Sequence, residues 1–93
     1  MHWIKNHGEV LAACDEGLPG KHLKGEKRSI EIKKSFYEGR KVEKEELQEM
    51  VAQHNNVNLI GGETIKAVEE TGMKLQIMKI KNVPHALIFR INK

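Results

Sequence analysis

Lys21, Lys24, Lys33 and Arg40, with Tyr37 among them, are the residues of this chain best suited to a chemical task. Cations hold phosphates, and an aromatic ring can stack on an unpaired base. His85 borders the same set, since the preceding Pro84 restricts how the chain enters the last strand. An imidazole held there suits phosphate contact or acid–base work. The plainer reading is that its ring nitrogens satisfy turn carbonyls. Only four aromatic residues occur in the chain, too few for a stacking platform. Phe36 is expected in the core, and Tyr37 is the free ring.

A second polar group is Asp15 with Glu16, at the end of an apolar run, joined by Ser35. Paired carboxylates could bind a cation or serve as acid and base, and ligands of open α/β sheets bind outside strand termini. Against that, an Asp before Gly17–Gly20 commonly caps its own turn. Cys14 beside Asp15 would need a nearby base and a positive setting to act as a nucleophile. After Ala12-Ala13 it reads as a small buried packing residue. His2, His7, His22, His54 and His85 show no metal-ligand spacing, so neither a metal nor a cofactor is expected. Gly61-Gly62-Glu63-Thr64 lacks the dinucleotide fingerprint and the P-loop Lys, and reads as a tight strand-to-helix turn.

These groups sit in one small body. Ninety-three residues make a single domain, 1–93, with 1–8 expected to be loosely ordered. Hydrophobic content of 39% against 31% charged residues fits a folded chain, not a disordered one. The single cysteine allows no internal disulfide, and no run approaches the roughly 20 apolar residues that cross a bilayer. The start, MHWIKNHGEV, has no signal-type apolar stretch, so a cytoplasmic location without membrane contact is the expectation. The net charge of +3 permits nucleic-acid contact without demanding it. Its placement matters more: KHLKGEKR at 21–28 holds four basic residues against one acid.

Periodicity assigns the elements. A strand is expected at Glu9–Asp15, and a loop at Glu16–Arg28. A second strand is expected at Ser29–Tyr37, where SIEIKKSFY alternates in type. Leu47, Met50, Val51 and His54 share one helical face over Glu45–Asn55. A short strand at Val57–Ile60 and a helix at Glu63–Thr71 follow, with Gly72 as C-cap. Strands at Leu75–Ile80 and Ala86–Ile91, joined by a five-residue turn at Lys81–His85, close the chain as an antiparallel hairpin. The expected fold is α+β or α/β: one mixed sheet in the order β-β-α-β-α-β-β, with both helices on one face.

The pieces AACDEGLPGK at 12–21, IEIKKSFYEG at 30–39, NLIGG at 58–62 and NVPHALIFRI at 82–91 resemble the archaeal domain of unknown function 424 family. The resemblance runs from about Glu9 onward, in the same order. It implies an archaeal cytoplasmic protein and, loosely, a link to RNA or translation; it implies no activity. Members of that family tend to carry a hydroxyl residue near position 43 as a helix cap, where this chain has Glu43. Residues and resemblance together favour a non-enzymatic module that contacts RNA or a ribosome-associated particle. Its contact set is Lys21, Lys24, Lys33, Tyr37, Arg40 and His85. The rival is a small enzyme or nucleotide-binding protein using Asp15, Lys21 and His85. A third reading is a protein–protein adaptor, as a monomer or a weak homodimer through a strand edge.

Overall fold

The structure, a computed structural model, describes residues 1–91; the last two positions of the expected domain lie outside it. Val10–Asp15 (β2) is the strand around which the rest is arranged. Leu11 and Ala13 are buried on one of its faces, and Ala12 and Cys14 on the other. A strand with both faces dry needs a cover on each side, and no polar alternation is expected in it.

β2 pairs antiparallel with His2–His7 (β1), the segment expected to be loose. Only Trp3 and Ile4 are apolar there, so its strand character is faint in sequence. Ile4 and His2 nevertheless alternate inward, toward the helices. On its other side β2 runs parallel to Asn56–Ile60 (β6). Arg40–Val42 (β5) forms one edge, and Ile77–Ile80 (β7) forms the other beside Val83–Phe89 (β8). The sheet order is β5-β1-β2-β6-β8-β7, a mixed sheet as expected, with two further strands, β1 and β5, added on one side of β2.

Helices Lys44–Ala52 (α2) and Gly62–Glu69 (α3) cover one face. Leu47, Val51, Ile65, Ala67 and Val68 meet Leu11, Ala13, Val57 and Leu59 there. Glu43 occupies the N-cap of α2 and makes no side-chain cap bond. The other face is covered by elements that sequence patterning assigned only in part, as a strand from Ser29. His22–Lys24 (β3) and Ser29–Glu31 (β4) form a hairpin, and Lys34–Tyr37 (α1) is a single helical turn.

The single strand expected at Ser29–Tyr37 is therefore corrected. Amides of Phe36 and Tyr37 both bond the Lys33 carbonyl, at 3.1 and 3.2 Å, and wind the chain. The reason is burial. Ile32 and Tyr37 both enter the core under β2. Five residues apart on a strand they would face opposite ways, and one helical turn brings them to the same side. The loop expected at 16–28 contains β3 for the same reason, because Leu23 reaches that core. The final hairpin turns on two residues, not five. Lys81 (φ 49°) and Asn82 (φ 65°) make a left-handed pair of the kind that closes tight hairpins, and Pro84 already lies in β8 opposite Lys79.

Asp15 ties the two halves of the chain together. Its Oδ1 accepts from the Thr64 amide at 2.7 Å and its Oδ2 from the Glu63 amide at 3.2 Å. A carboxylate at a helix N-terminus satisfies orphan amides and the helix dipole. Gly61, at φ 110°, brings its backbone so close that a Cβ would lie 2.3 Å from the Asp15 carboxyl carbon. A side chain there meets both a forbidden backbone region and a filled space. Gly61→Ala is therefore expected to lose about 2 kcal/mol or more in urea unfolding. Asp15→Ala should lose about 1–2 kcal/mol. The double variant should lose less than the sum, because removing the carboxylate makes room for the methyl. Strict additivity would contradict the contact.

His2 is buried beside the same helix, with Nδ1 2.8 Å from the Thr64 hydroxyl. Burial, helped by the nearby chain N-terminus, holds its pKa below the ordinary 6.5. The unfolded chain then binds the proton better, so stability is whole above that value and is lost as pH falls below it. The melting temperature should drop between about pH 7 and pH 5, and His2→Gln should flatten part of that slope. Equal slopes in both proteins would contradict a buried neutral His2.

Candidate anion-binding cleft

Two hairpin tips meet at one end of the molecule. The β3–β4 tip, Gly25–Arg28, is closed by a 2.7 Å bond from the Gly25 amide to the Arg28 carbonyl. Beside it lies the Lys81-Asn82 turn of the β7–β8 hairpin. The two tips approach closely at Gly25: a Cβ there would sit 3.7 Å from the Ile80 side chain and from the Lys81 amide nitrogen. Between them runs a cleft of about 610 Å³. Lys24, Lys27 and Arg28 line it from one hairpin, and Lys79 and Lys81 from the other, with Glu26 as its one acid.

The electrostatics of this cleft differ from the rest of the surface. Elsewhere several cations are engaged. Lys41 pairs with Glu16 at 3.1 Å and stands 5.2 Å over the Trp3 ring. Lys44 pairs with Glu70, Arg40 with Glu46, and Arg90 with the carbonyls of Val51 and Ala52. Among the described residues none of the five cleft cations is in an ion pair. The chain as a whole carries +3, so the cleft, with five cations against one acid, holds more than the entire surplus.

Of the six residues expected to form a contact set, Lys24 lies in this cleft. Lys21 and Lys33 are exposed at the base of the same hairpin, where the Lys21 carbonyl accepts from the Ile32 amide. Arg40 is on β5, at the opposite edge of the sheet, paired to Glu46 at 2.5 Å. Tyr37 is not a free ring: it is 3% exposed, and its hydroxyl donates to Asn58 Oδ1 at 3.0 Å. Burial raises its pKa above the ordinary tyrosine value. His85 is buried too, and its Nε2 reaches the same Asn58 oxygen at 3.1 Å. Phe36 is half-buried and stacked on His7.

Asp15, Lys21 and His85 do not converge. Asp15 turns to the α3 side of the sheet, while His85 joins Tyr37 and Asn58 on the other. Both Asp15 oxygens accept from α3 amides, so the carboxylate itself fills the place where an anion would meet Gly61-Gly62. Glu16 is exposed, bound to Lys41, and Lys41 holds its carboxyl below the usual range. Ser35 is exposed and offers its carbonyl to Lys5. Cys14 is fully buried; burial, with Asp15 nearby, pushes its thiol up to about 12 and keeps it protonated at neutral pH. His54 donates from Nδ1 to the Met50 carbonyl within α2 and its end.

Four cleft cations, Lys27, Arg28, Lys79 and Lys81, escaped the sequence reading as a group. The run KHLKGEKR contains two of them, and KIKN at 79–82 the others. Nothing in local patterning brings segments some fifty residues apart together. The usable signal was that both runs sit at hairpin turns.

The comparison with curated proteins finds no match. Among solved structures the fold is similar to that of an uncharacterized conserved protein from Methanopyrus kandleri. The identity is 26%, the match covers 99% of this chain and 96% of that one, and the TM-score is 0.73. Residues 2–91 match the family described as protein of unknown function (DUF424), which takes in β1 as well as the pieces quoted from Ala12 onward. This chain belongs to that family.

Proposed function

We propose that this protein is a binding module for RNA and that the cleft between the two hairpin tips holds the phosphate backbone. The observation that carries this reading is the set of Lys24, Lys27, Arg28, Lys79 and Lys81 around one concavity, none of them ion-paired among the described residues. Unpaired like charges around one cleft repel one another, and an anionic ligand would supply their counter-charge. A chain of phosphates supplies it at regular intervals, and Arg28 adds a planar donor fork that matches phosphate oxygens. The cleft opens to solvent between the two tips.

The contact set differs from the one first expected. Lys24 remains, Lys21 and Lys33 stand at the base of the same hairpin, and Arg40, Tyr37 and His85 lie outside the cleft. The test is fluorescence anisotropy with a labelled RNA at several salt concentrations. With about four phosphates neutralised, affinity should fall roughly fiftyfold between 50 and 200 mM salt. Lys27→Glu with Lys81→Glu should abolish binding, since both residues are exposed and the fold does not need them. Arg40→Ala, at the far edge, should leave the isotherm unchanged. Absent binding, or a charge-reversed pair that binds as well as wild type, would overturn the proposal.

A further inference from the structure

The sheet face that carries the cleft does not end there. α1 and the β3–β4 hairpin cover it over β2 and the near ends of β6 and β8. Beyond that cover Met78 on β7 and Leu87 and Phe89 on β8 stand uncovered, with Leu87 60% and Phe89 75% exposed. Alternation puts Leu87 and Phe89 on the same face as His85, and Met78 directly opposite it across the β7–β8 ladder. The strip is continuous with the cleft, because the Arg28 guanidinium touches the Met78 sulfur.

At the inner end of this strip is a polar atom without a partner. Asn58 Oδ1 has no proton to give, so the Tyr37 hydroxyl and His85 Nε2 must both donate to it. That fixes the neutral tautomer of His85 and leaves Nδ1 with a lone pair. Among the described residues it is the buried side-chain nitrogen or oxygen with no hydrogen bond. Buried polar atoms are nearly always paired, and an exception marks a place where a partner is missing. His85 also lines a hollow of about 540 Å³ with Met78 and Leu87.

Resting on the reading of the cleft as an RNA site, we infer that the ligand is single-stranded: its bases lie on the Met78–Leu87–Phe89 strip, and His85 Nδ1 accepts a hydrogen bond from a base N–H. Tyr37 and Asn58 are then positioning residues, holding the imidazole in its accepting form. Duplexed bases have their edges occupied and their faces stacked, so neither the strip nor the lone pair could reach them. Charge selects this occupant over a second copy of the chain. Two β7 edges paired antiparallel would set Lys79 and Lys81 of each copy close together, whereas an RNA strand brings phosphates to the same cations.

The experiment compares a labelled single-stranded RNA twelve nucleotides long with inorganic polyphosphate of about equal charge, at one salt concentration. Single-stranded RNA should bind roughly tenfold more tightly, the increment expected of a base stacked on an aromatic side chain. Phe89→Ala and Leu87→Ser alter exposed side chains and should leave folding intact. They should erase most of that advantage and leave polyphosphate binding unchanged. His85→Phe keeps a flat ring without the acceptor and should narrow the gap, with its melting curve recorded beside it. Equal affinity for RNA and polyphosphate would overturn this inference while the cleft proposal stands. A gap that survives Phe89→Ala and Leu87→Ser would overturn it too, as would a dimer seen by light scattering that Phe89→Ala dissolves. Binding to neither polymer would remove both proposals.

Discussion

The burial of β2 on both faces is the constraint from which the other features follow. Ala12, Ala13, Leu11 and Cys14 have no side exposed to water, so a sheet built around them must be a filling between two covers. The helical cover is ordinary: α2 and α3 lie over Leu11 and Ala13 as crossover helices do. The second cover comes from a segment too short for a helix pair, Leu18 to Tyr37. It uses a three-residue hairpin and one helical turn to deliver Leu23, Ile32 and Tyr37. That economy leaves the cover incomplete. It closes over the middle of the sheet, stops at Ile80 and Val83, and sets its own tip against the neighbouring hairpin.

The polar residues divide between the same two faces. On the helix side Asp15 is spent on α3, where it replaces any external anion at the helix start. His2 is spent on Thr64 in the first turn of that helix. On the other side Asn58, reached from both Tyr37 and His85, joins the second cover to β8. Each of these groups is within an element's length of a residue whose type invites a catalytic reading. Geometry assigns most of them to holding layers together, and a buried thiol at Cys14 with its pKa pushed up to about 12 belongs with them. His85 stands apart because one of its nitrogens is used and the other is not.

How much of this was legible in the sequence depended on whether burial agreed with local period. β2, β6, α2 and α3 were legible because a single face or both faces were uniformly apolar over their lengths. β1 was not, since a strand of His, Trp, Lys and Asn lacks the expected contrast, and only its partner shows that His2 faces inward. At 29–37 a period of two runs from Ser29 to Ile32 and then fails at Lys33, where the chain winds so that Tyr37 can join Ile32. Reading the alternation to its end placed Tyr37 in water, and tertiary burial overrode it. The turn at Lys81-Asn82 was blurred by Pro84, which looks like turn chemistry but sits in the strand opposite Lys79. Of the basic residues, those on one run could be grouped by eye; Lys79 and Lys81 joined them only through the contact of the two tips.

The charge distribution gives the incomplete cover its significance. A protein of this size could have placed its cations beside its acids everywhere, as it does along β5 and α2 with Arg40, Lys41 and Lys44. Exposed pairs of that kind contribute little stability, so their absence at the hairpin tips is no defect of folding. What the tips incur is mutual repulsion among five cations lining one cleft, screened by salt over a Debye length of about 8–10 Å. On the proposed reading, the phosphates of a bound polyanion would offset it. The tips are joined to the sheet through Ile80, Val83 and Leu23. The same strands, β7 and β8, present Met78, Leu87 and Phe89, so the cations and the uncovered strip are built on shared elements.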